Sequence, residues 1–147
     1  MPVFNKCSII KCNIDELFAF HTDTNNISKI SPPNTKVEIL ELDPPIKEGD
    51  IVKLKATKWL IPQLWEVQVS TLKPPSLLVD TALKSPFKKW EHKHEFKEVE
   101  DGVQMCDIIE YELPFGILGA SLSNLVYKDL KHMFEYRHTK TKEIFEK

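Results

Sequence analysis

The sequence predicts an α+β protein in which a curved antiparallel sheet of about seven strands wraps around one long C-terminal helix, with two short helices after the first strand. Three observations predict it. Leu118, Leu122, Leu125, Val126, Leu130, Met133 and Ile144 recur at helical period, while Asn124, Lys128, Lys131, Glu135, His138, Lys142 and Glu146 lie opposite, so residues 118–147 form a helix with one buried and one wet face. Upstream, β-branched and aromatic runs punctuated by proline, Glu-Gly-Asp and Asp-Gly turns succeed one another at hairpin spacing. In the last pair of runs Lys89, Glu91, Lys93, Glu95 and Lys97 form an unbroken charged row on one side of a strand, which leaves that side of the sheet to solvent. At 1.5 Å per residue the helix reaches about 40 Å, too long to stand alone on so narrow a stripe, so the sheet must cover it.

The elements follow in order. Val3 to Lys11 reads as the first strand; Asn13 with Glu16 makes a capping-box-like start for a helix carrying Ile14, Leu17, Phe18 and His21. A second helical turn spans Asn25 to Ile30, capped by Asp23 or Thr24 and stopped by Pro32-Pro33. Val37 to Leu42 and Ile51 to Trp59 form a hairpin across Asp43-Pro44-Pro45 and Glu48-Gly49-Asp50. Trp65, Val67 and Val69 alternate with Glu66, Gln68 and Ser70 until Pro74-Pro75, and Leu77 to Lys84 opens the next strand before Ser85-Pro86. Pro114 to Gly119 links the last strand to the long helix.

The last hairpin runs Lys88 to Val99 against Val103 to Leu113. Asp101-Gly102 suits the central positions of a type I′ turn. That register sets Phe96 opposite Asp107, His94 opposite Ile109, His92 opposite Tyr111 and Trp90 opposite Leu113, all on the inward face.

Composition narrows the partners. A chain of 147 residues, 41% of them hydrophobic, fits a single domain spanning residues 1–147. The formal charge of −2, with lysines interleaved among acids, argues against nucleic acid. The apolar runs are too short for a transmembrane segment, and the N-terminus enters a strand pattern at once rather than a signal pattern, so a cytoplasmic protein is expected. Cys7, Cys12 and Cys106 are odd in number and lack close metal-type spacing, so reduced structural thiols are expected. Trp59, Leu60, Ile61 and Pro62 form an apolar loop tip that gates a cavity mouth, joins two copies in a homodimer, or packs on its own hairpin, the last being the simplest.

The ordered set of motifs resembles the START-like helix-grip superfamily, often labelled SRPBCC, and within it a small bacterial polyketide-cyclase-like branch. The stretches that carry the resemblance are Leu17-Phe18-Ala19-Phe20-His21 with Asn26 and Pro32-Pro33; Trp65 before Pro74-Pro75; Ser85-Pro86-Phe87 with Trp90, His92, His94 and Phe96; Asp107 with Tyr111 and Pro114-Phe115-Gly116; and Phe134 with Tyr136-Arg137-His138. Ser85 stands where that branch usually shows glycine. The resemblance spans nearly the whole chain. It implies a helix-grip fold whose seven-stranded sheet and C-terminal helix enclose a cavity for a small hydrophobic ligand, with cyclase or hydrolase chemistry in some members. No cofactor is implied.

Inward-facing residues that would line such a cavity are Trp65 and Val67, Trp90, His92, His94 and Phe96, Asp107, Ile109 and Tyr111, and from the helix Leu122, Val126, Met133 and Arg137. His92, His94, Asp107 and Tyr111 are polar where a pure core would take Val or Leu, and an unsatisfied buried polar atom costs about 1–3 kcal/mol. They therefore bond one another, cavity water or a ligand. His92-x-His94 on one strand face invites a metal, but needs a third ligand such as Asp107, and packing plus hydrogen bonding is the simpler assignment, so no metal is expected. Arg137 at the stripe's edge needs a carboxylate such as Asp107 or a sheet acid, a carbonyl, or the acidic end of a ligand. Catalysis lacks a nucleophile, because Ser121 and Ser123 look like helix caps and no Gly-x-Ser-x-Gly elbow occurs. An enzyme would have to use acid–base chemistry by His92, His94 or Asp107, with Arg137 or Tyr111 stabilising an oxyanion. The remaining alternative is a protein-interaction module with a filled core.

Overall fold

The computed structural model describes residues 2–41, 45–58, 60–114 and 119–146. The first strand, β1 (Val3–Ile10), leads into helix α1 (Ile14–Thr22), where the Asn13 side chain accepts from the Glu16 backbone N–H as the capping pattern predicts. The second helical turn resolves into two 3₁₀ turns, Thr24–Asn26 and Ser28–Ile30, the first capped by Asp23. Six strands follow: β2 (Thr35–Glu41), β3 (Ile51–Lys58), β4 (Ile61–Lys73), β5 (Leu77–Lys84), β6 (Lys89–Val99) and β7 (Gly102–Glu112). Helix α2 (Gly119–Phe145) completes the order. The seven strands make one antiparallel sheet, β1-β7-β6-β5-β4-β3-β2, a meander closed by the first strand on the last. This is the helix-grip arrangement, with α2 packed across β1 and the second 3₁₀ turn.

The β6–β7 pairing differs from expectation. Phe96 lies opposite Met105, His94 opposite Asp107, His92 opposite Ile109 and Trp90 opposite Tyr111, so Glu100 and Asp101 hold the centre of the turn. Gly102 sits at the turn's exit, with φ of 145°, where any Cβ would collide with the Ile10 carbonyl oxygen. The glycine is required by the close approach of β1's end, not by a type I′ turn. Because the partners move by two residues, the faces are kept: Phe96 and His92 are buried, while Lys89, Glu95 and Lys97 are exposed.

The same ladder logic corrects the cysteines. Cys7 and Cys106 are direct partners in the β1–β7 register and form a disulfide across 99 residues of sequence, leaving Cys12 free. The expectation of reduced thiols fails because antiparallel pairing, which local spacing does not reveal, creates the contact.

Two apolar clusters pack on the concave side. One joins Ile10, Leu17, Phe18, Val69, Leu78, Phe96 and Met105 beneath α1; the other joins Phe4, Ile109, Tyr111, Leu130 and Phe134 beneath α2. Between them, β7's inward row reads Val103, Met105, Asp107, Ile109, Tyr111, so one carboxylate interrupts an otherwise apolar strip.

The stripe of α2 also shifts. Among its described residues Leu130, Phe134, His138 and Thr141 are buried, at intervals of four, four and three, whereas Leu125 is 65% exposed. His138, assigned to the wet face by polarity, is 3% exposed. Ser121 and Ser123 lie inside the helix rather than capping it, since the helix already runs at Gly119. Leu118, Phe115 and Trp59 fall outside the described residues. Of the described residues at the β3–β4 tip, Leu60 is 94% exposed and Ile61 61%. Among the described residues no helix is long and apolar enough to cross a membrane.

Candidate functional site

A cavity of about 570 Å³ lies between the concave sheet face and α2. Strands β3 to β5 supply apolar wall through Leu54, Trp65, Val67 and Leu78, and α2 supplies Leu122, Val126 and Met133. Trp65, Phe87 and Trp90 pack against one another along it, Trp65 and Trp90 edge to face with centroids 5.2 Å apart and Phe87 tilted against both. Lys58 on β3 pairs with Asp129 on α2, and both residues line the cavity.

One part of the wall is polar. Asp80, His92, His94 and Arg137 line the cavity there, joined by His21 from α1. Behind them Asp107, 5% exposed, gathers three imidazoles. His92 Nε2–H donates to its Oδ1 at 2.6 Å and His138 Nε2–H to its Oδ2 at 2.6 Å. His94 Nδ1 stands 3.3 Å from Oδ1, within ion-pair range but without hydrogen-bond geometry, while its Nε2 donates to Asp80 Oδ2 at 2.9 Å. The rings of His92 and His94 stack with centroids 3.8 Å apart, as neighbours two residues apart on one strand face can. On the far side of Asp107 the Ser8 hydroxyl donates to His138 Nδ1 at 2.6 Å, and both residues border a smaller groove between β1 and α2.

Electrostatics follow from this packing. Burial raises the Asp107 carboxyl, but the hydrogen bonds from His138 and His92, with His94 close beside them, outweigh it and hold the group well below the usual carboxylate range. Burial opposes charge on His94 too, yet Asp107 and Asp80 together push it up to about 9, an imidazolium shared by two carboxylates. His92 moves the other way, lowered by burial and by the positive His94 beside it. Burial and His94 likewise push His21 down to about 4. The site thus sets the His94 imidazolium between the Asp80 and Asp107 carboxylates, beside neutral imidazoles at His92 and His21 and the Arg137 guanidinium.

Arg137 does not pair directly with Asp107. Its guanidinium lies over the Phe134 ring, 5.2 Å from the centroid, and among the described residues its Nε is buried without a hydrogen-bond partner. Burial lowers its pKa, with Asp107 and Asp80 opposing.

Of the residues expected at the cavity, Trp65, Val67, Trp90, His92, His94, Leu122, Val126, Met133 and Arg137 line it. Phe96, Asp107, Ile109 and Tyr111 do not; they are buried behind it. Sequence reasoning missed Asp80, His21, Ser8 and His138. Asp80 carried a signal, since it shares the strand parity of buried Leu78 and is the lone charge in an apolar run. His138 carried a fainter one, four residues after Phe134 and eight after Leu130.

Residues 10–135 match the family described as polyketide cyclase / dehydrase and lipid transport. No curated protein matches the chain by sequence. Solved structures resemble it closely in fold. A Chromobacterium violaceum protein superposes with a TM-score of 0.79 at 10% identity, covering 99% of this chain and 97% of its own. One from Rhodobacter sphaeroides gives 0.75 at 12% identity, covering 97% and 90%. Another from Thermus thermophilus gives 0.72 at 15% identity, covering 97% and 95%.

Proposed function

Because the chain belongs to the polyketide cyclase / dehydrase and lipid transport family, we propose that it binds a small amphipathic molecule in the cavity, apolar body against the aromatic and aliphatic walls, acidic end at Arg137 and His94. The observation that carries this reading is the buried Arg137 Nε, without a partner among the described residues, on a guanidinium at the wall of a largely apolar cavity. A buried cation with an unused donor favours an incoming anion, which completes the hydrogen bonding that the protein leaves open. The volume suits a ligand of drug size, within the range of about 300–1,000 Å³ usual for such sites. It supports a binding role over a filled core.

Paired ligands test it: a long-chain or aromatic carboxylate and its neutral methyl ester, titrated calorimetrically and by thermal shift. Binding raises the melting temperature by mass action. Arg137→Met keeps the stem's packing and removes the charge. It is expected to weaken the carboxylate about 10- to 100-fold, some 1.5–3 kcal/mol, and to leave the ester unchanged. Equal loss for both ligands would exclude the anchoring role, and no stabilisation across a diverse lipophile panel would exclude the binding reading.

A second reading, acid–base catalysis in the same cavity, is favoured by His92. It is neutral, borders the cavity and has its Nε2–H fixed on Asp107, which leaves Nδ1 as a free base. His92→Gln would then abolish turnover of a cyclisable poly-β-ketone while leaving its binding intact.

A further inference from the structure

We propose that Asp80, His92 and His94 bind a divalent first-row transition-metal ion at the polar wall of the cavity. Each offers one ligand atom, a carboxylate oxygen and two imidazole nitrogens, and these atoms lie within 4.8 Å of one another. The set is not an exposed acidic patch: His92 is buried, and Asp80 and His94 are largely so. Two imidazoles and one carboxylate with remaining positions open to a cavity is a donor set that suits zinc, cobalt or ferrous iron better than calcium or magnesium.

The backbone fixes the three residues before any metal arrives. His92 and His94 sit two apart on β6, and β5–β6 pairing sets Asp80 directly opposite His92 and next to His94. His94 Nε2 and Asp80 Oδ2 are already 2.9 Å apart. Ligands about 2.0–2.1 Å from a tetrahedral ion lie about 3.3 Å from each other, so an incoming ion parts this pair by a few tenths of an ångström, releases the His94 Nε2 proton to solvent and turns the His92 ring out of its stack with His94.

The residue behind the cluster completes the case. Metal-bound histidines usually present their other ring nitrogen to a carboxylate, which fixes the ring and strengthens it as a ligand. Asp107 stands there for both: 2.6 Å from His92 Nε2, which leaves Nδ1 for the ion, and 3.3 Å from His94 Nδ1, which leaves Nε2. From sequence no metal is expected, and Asp107 is only an example of the third ligand such a site would need; the geometry assigns that place to Asp80 and sets Asp107 behind. Asp80 and Asp107 supply two negative charges against the two positive charges of the ion. The inference does not depend on an amphipathic ligand occupying the cavity.

The test uses tag-free, chelator-treated full-length protein and Co²⁺ alone, followed by calorimetry and the visible absorption of bound cobalt. Expected is saturation at one equivalent, with Asp80→Asn and His94→Gln each weakening binding at least tenfold while the thermal melt stays cooperative. Asp107→Asn is expected to weaken it 10- to 100-fold without changing the stoichiometry. If a variant fails to fold, paramagnetic displacement of the His92 and His94 ring resonances in the unaltered protein carries the decision. Absence of saturable binding, undisplaced His92 and His94 resonances, or affinity unchanged in Asp80→Asn and His94→Gln, as exposed His132 would give, overturns the proposal.

Discussion

His138 on α2 donates through Nε2 to Asp107 on β7 at 2.6 Å, so the C-terminal helix is tied to the sheet by a buried charge-assisted hydrogen bond as well as by apolar contact. Such bonds contribute about 1.5–3 kcal/mol, and the loss is largest when the carboxylate stays behind unpaired. His138→Leu is therefore expected to destabilise the protein by about 2–3 kcal/mol in urea unfolding. Ser8→Ala, which removes only the hydroxyl on His138 Nδ1, should cost about 0.5–1.5 kcal/mol. In the double variant the two losses should not add, because Ser8 acts through the ring that His138→Leu deletes. Additive losses would mean that Ser8 and His138 are not coupled.

Stability should fall on both sides of neutrality in the metal-free protein. His21 is lowered to about 4 in the fold, below its unfolded value near 6.5, so between these pH values the unfolded chain takes up a proton that the native state refuses. Stability is full above about pH 6.5 and declines as pH falls toward 4, and His92, lowered as well, adds to the same slope. His94 has the opposite sign. Raised to about 9, it stabilises below 6.5, and that contribution is lost as pH rises toward 9. Urea midpoints from pH 4 to 9.5 check both limbs, and His21→Leu should flatten the acid limb. A profile level from pH 4 to 6.5 would contradict the neutral burial of His21.

Removing the Cys7–Cys106 disulfide should cost about 2–4 kcal/mol, because the bond closes a loop of 99 residues in the unfolded chain. Cys7→Ser with Cys106→Ser, or treatment with reductant, is expected to lower the melting temperature without loss of the sheet's circular dichroism. An unchanged melting temperature would show that the two sulfurs are not bonded in solution.

Gly102→Ala should destabilise by more than about 1 kcal/mol, since the methyl meets the Ile10 carbonyl and the backbone of Lys11 in a conformation that disfavours L side chains. The damage should appear first as faster hydrogen exchange at the Ile10–Val103 end of the β1–β7 ladder. Unaltered exchange there would sink the close-approach account of this glycine.

Most strands and both helices were legible because their evidence is local: Asn13 as a cap, the charged row from Lys89 to Lys97, and the helical period of Leu130 and Met133. The inward placement of His92, His94 and Asp107 was legible for the same reason. What escaped depends on partners distant in sequence. Hydropathy sends His138 outward, since nothing nearby announces that Asp107 waits for it across the seam. Cys7 meets Cys106 only once β1 has paired with β7. Gly102 looks like a turn centre because Asp-Gly is a turn pair, while the reason for glycine is the carbonyl of Ile10.

The position of Asp107 between two apolar clusters bears on how the chain selects among near-identical foldings. Sliding β7 past β6 by two residues preserves every inward and outward face, so greasy-against-greasy matching scores the correct and the slipped sheet almost alike. A lone buried carboxylate distinguishes them. Only with Asp107 opposite His94 do the His92 and His94 imidazoles reach it from the strand while His138 reaches it from the helix; a slipped ladder exchanges it with Met105 or Ile109 and strands a charge in the core. Asp107 thus works as an alignment pin, a costly group kept where it vetoes the wrong match, and a neutral isostere there should relax the choice of alignment even where it leaves the average packing untouched.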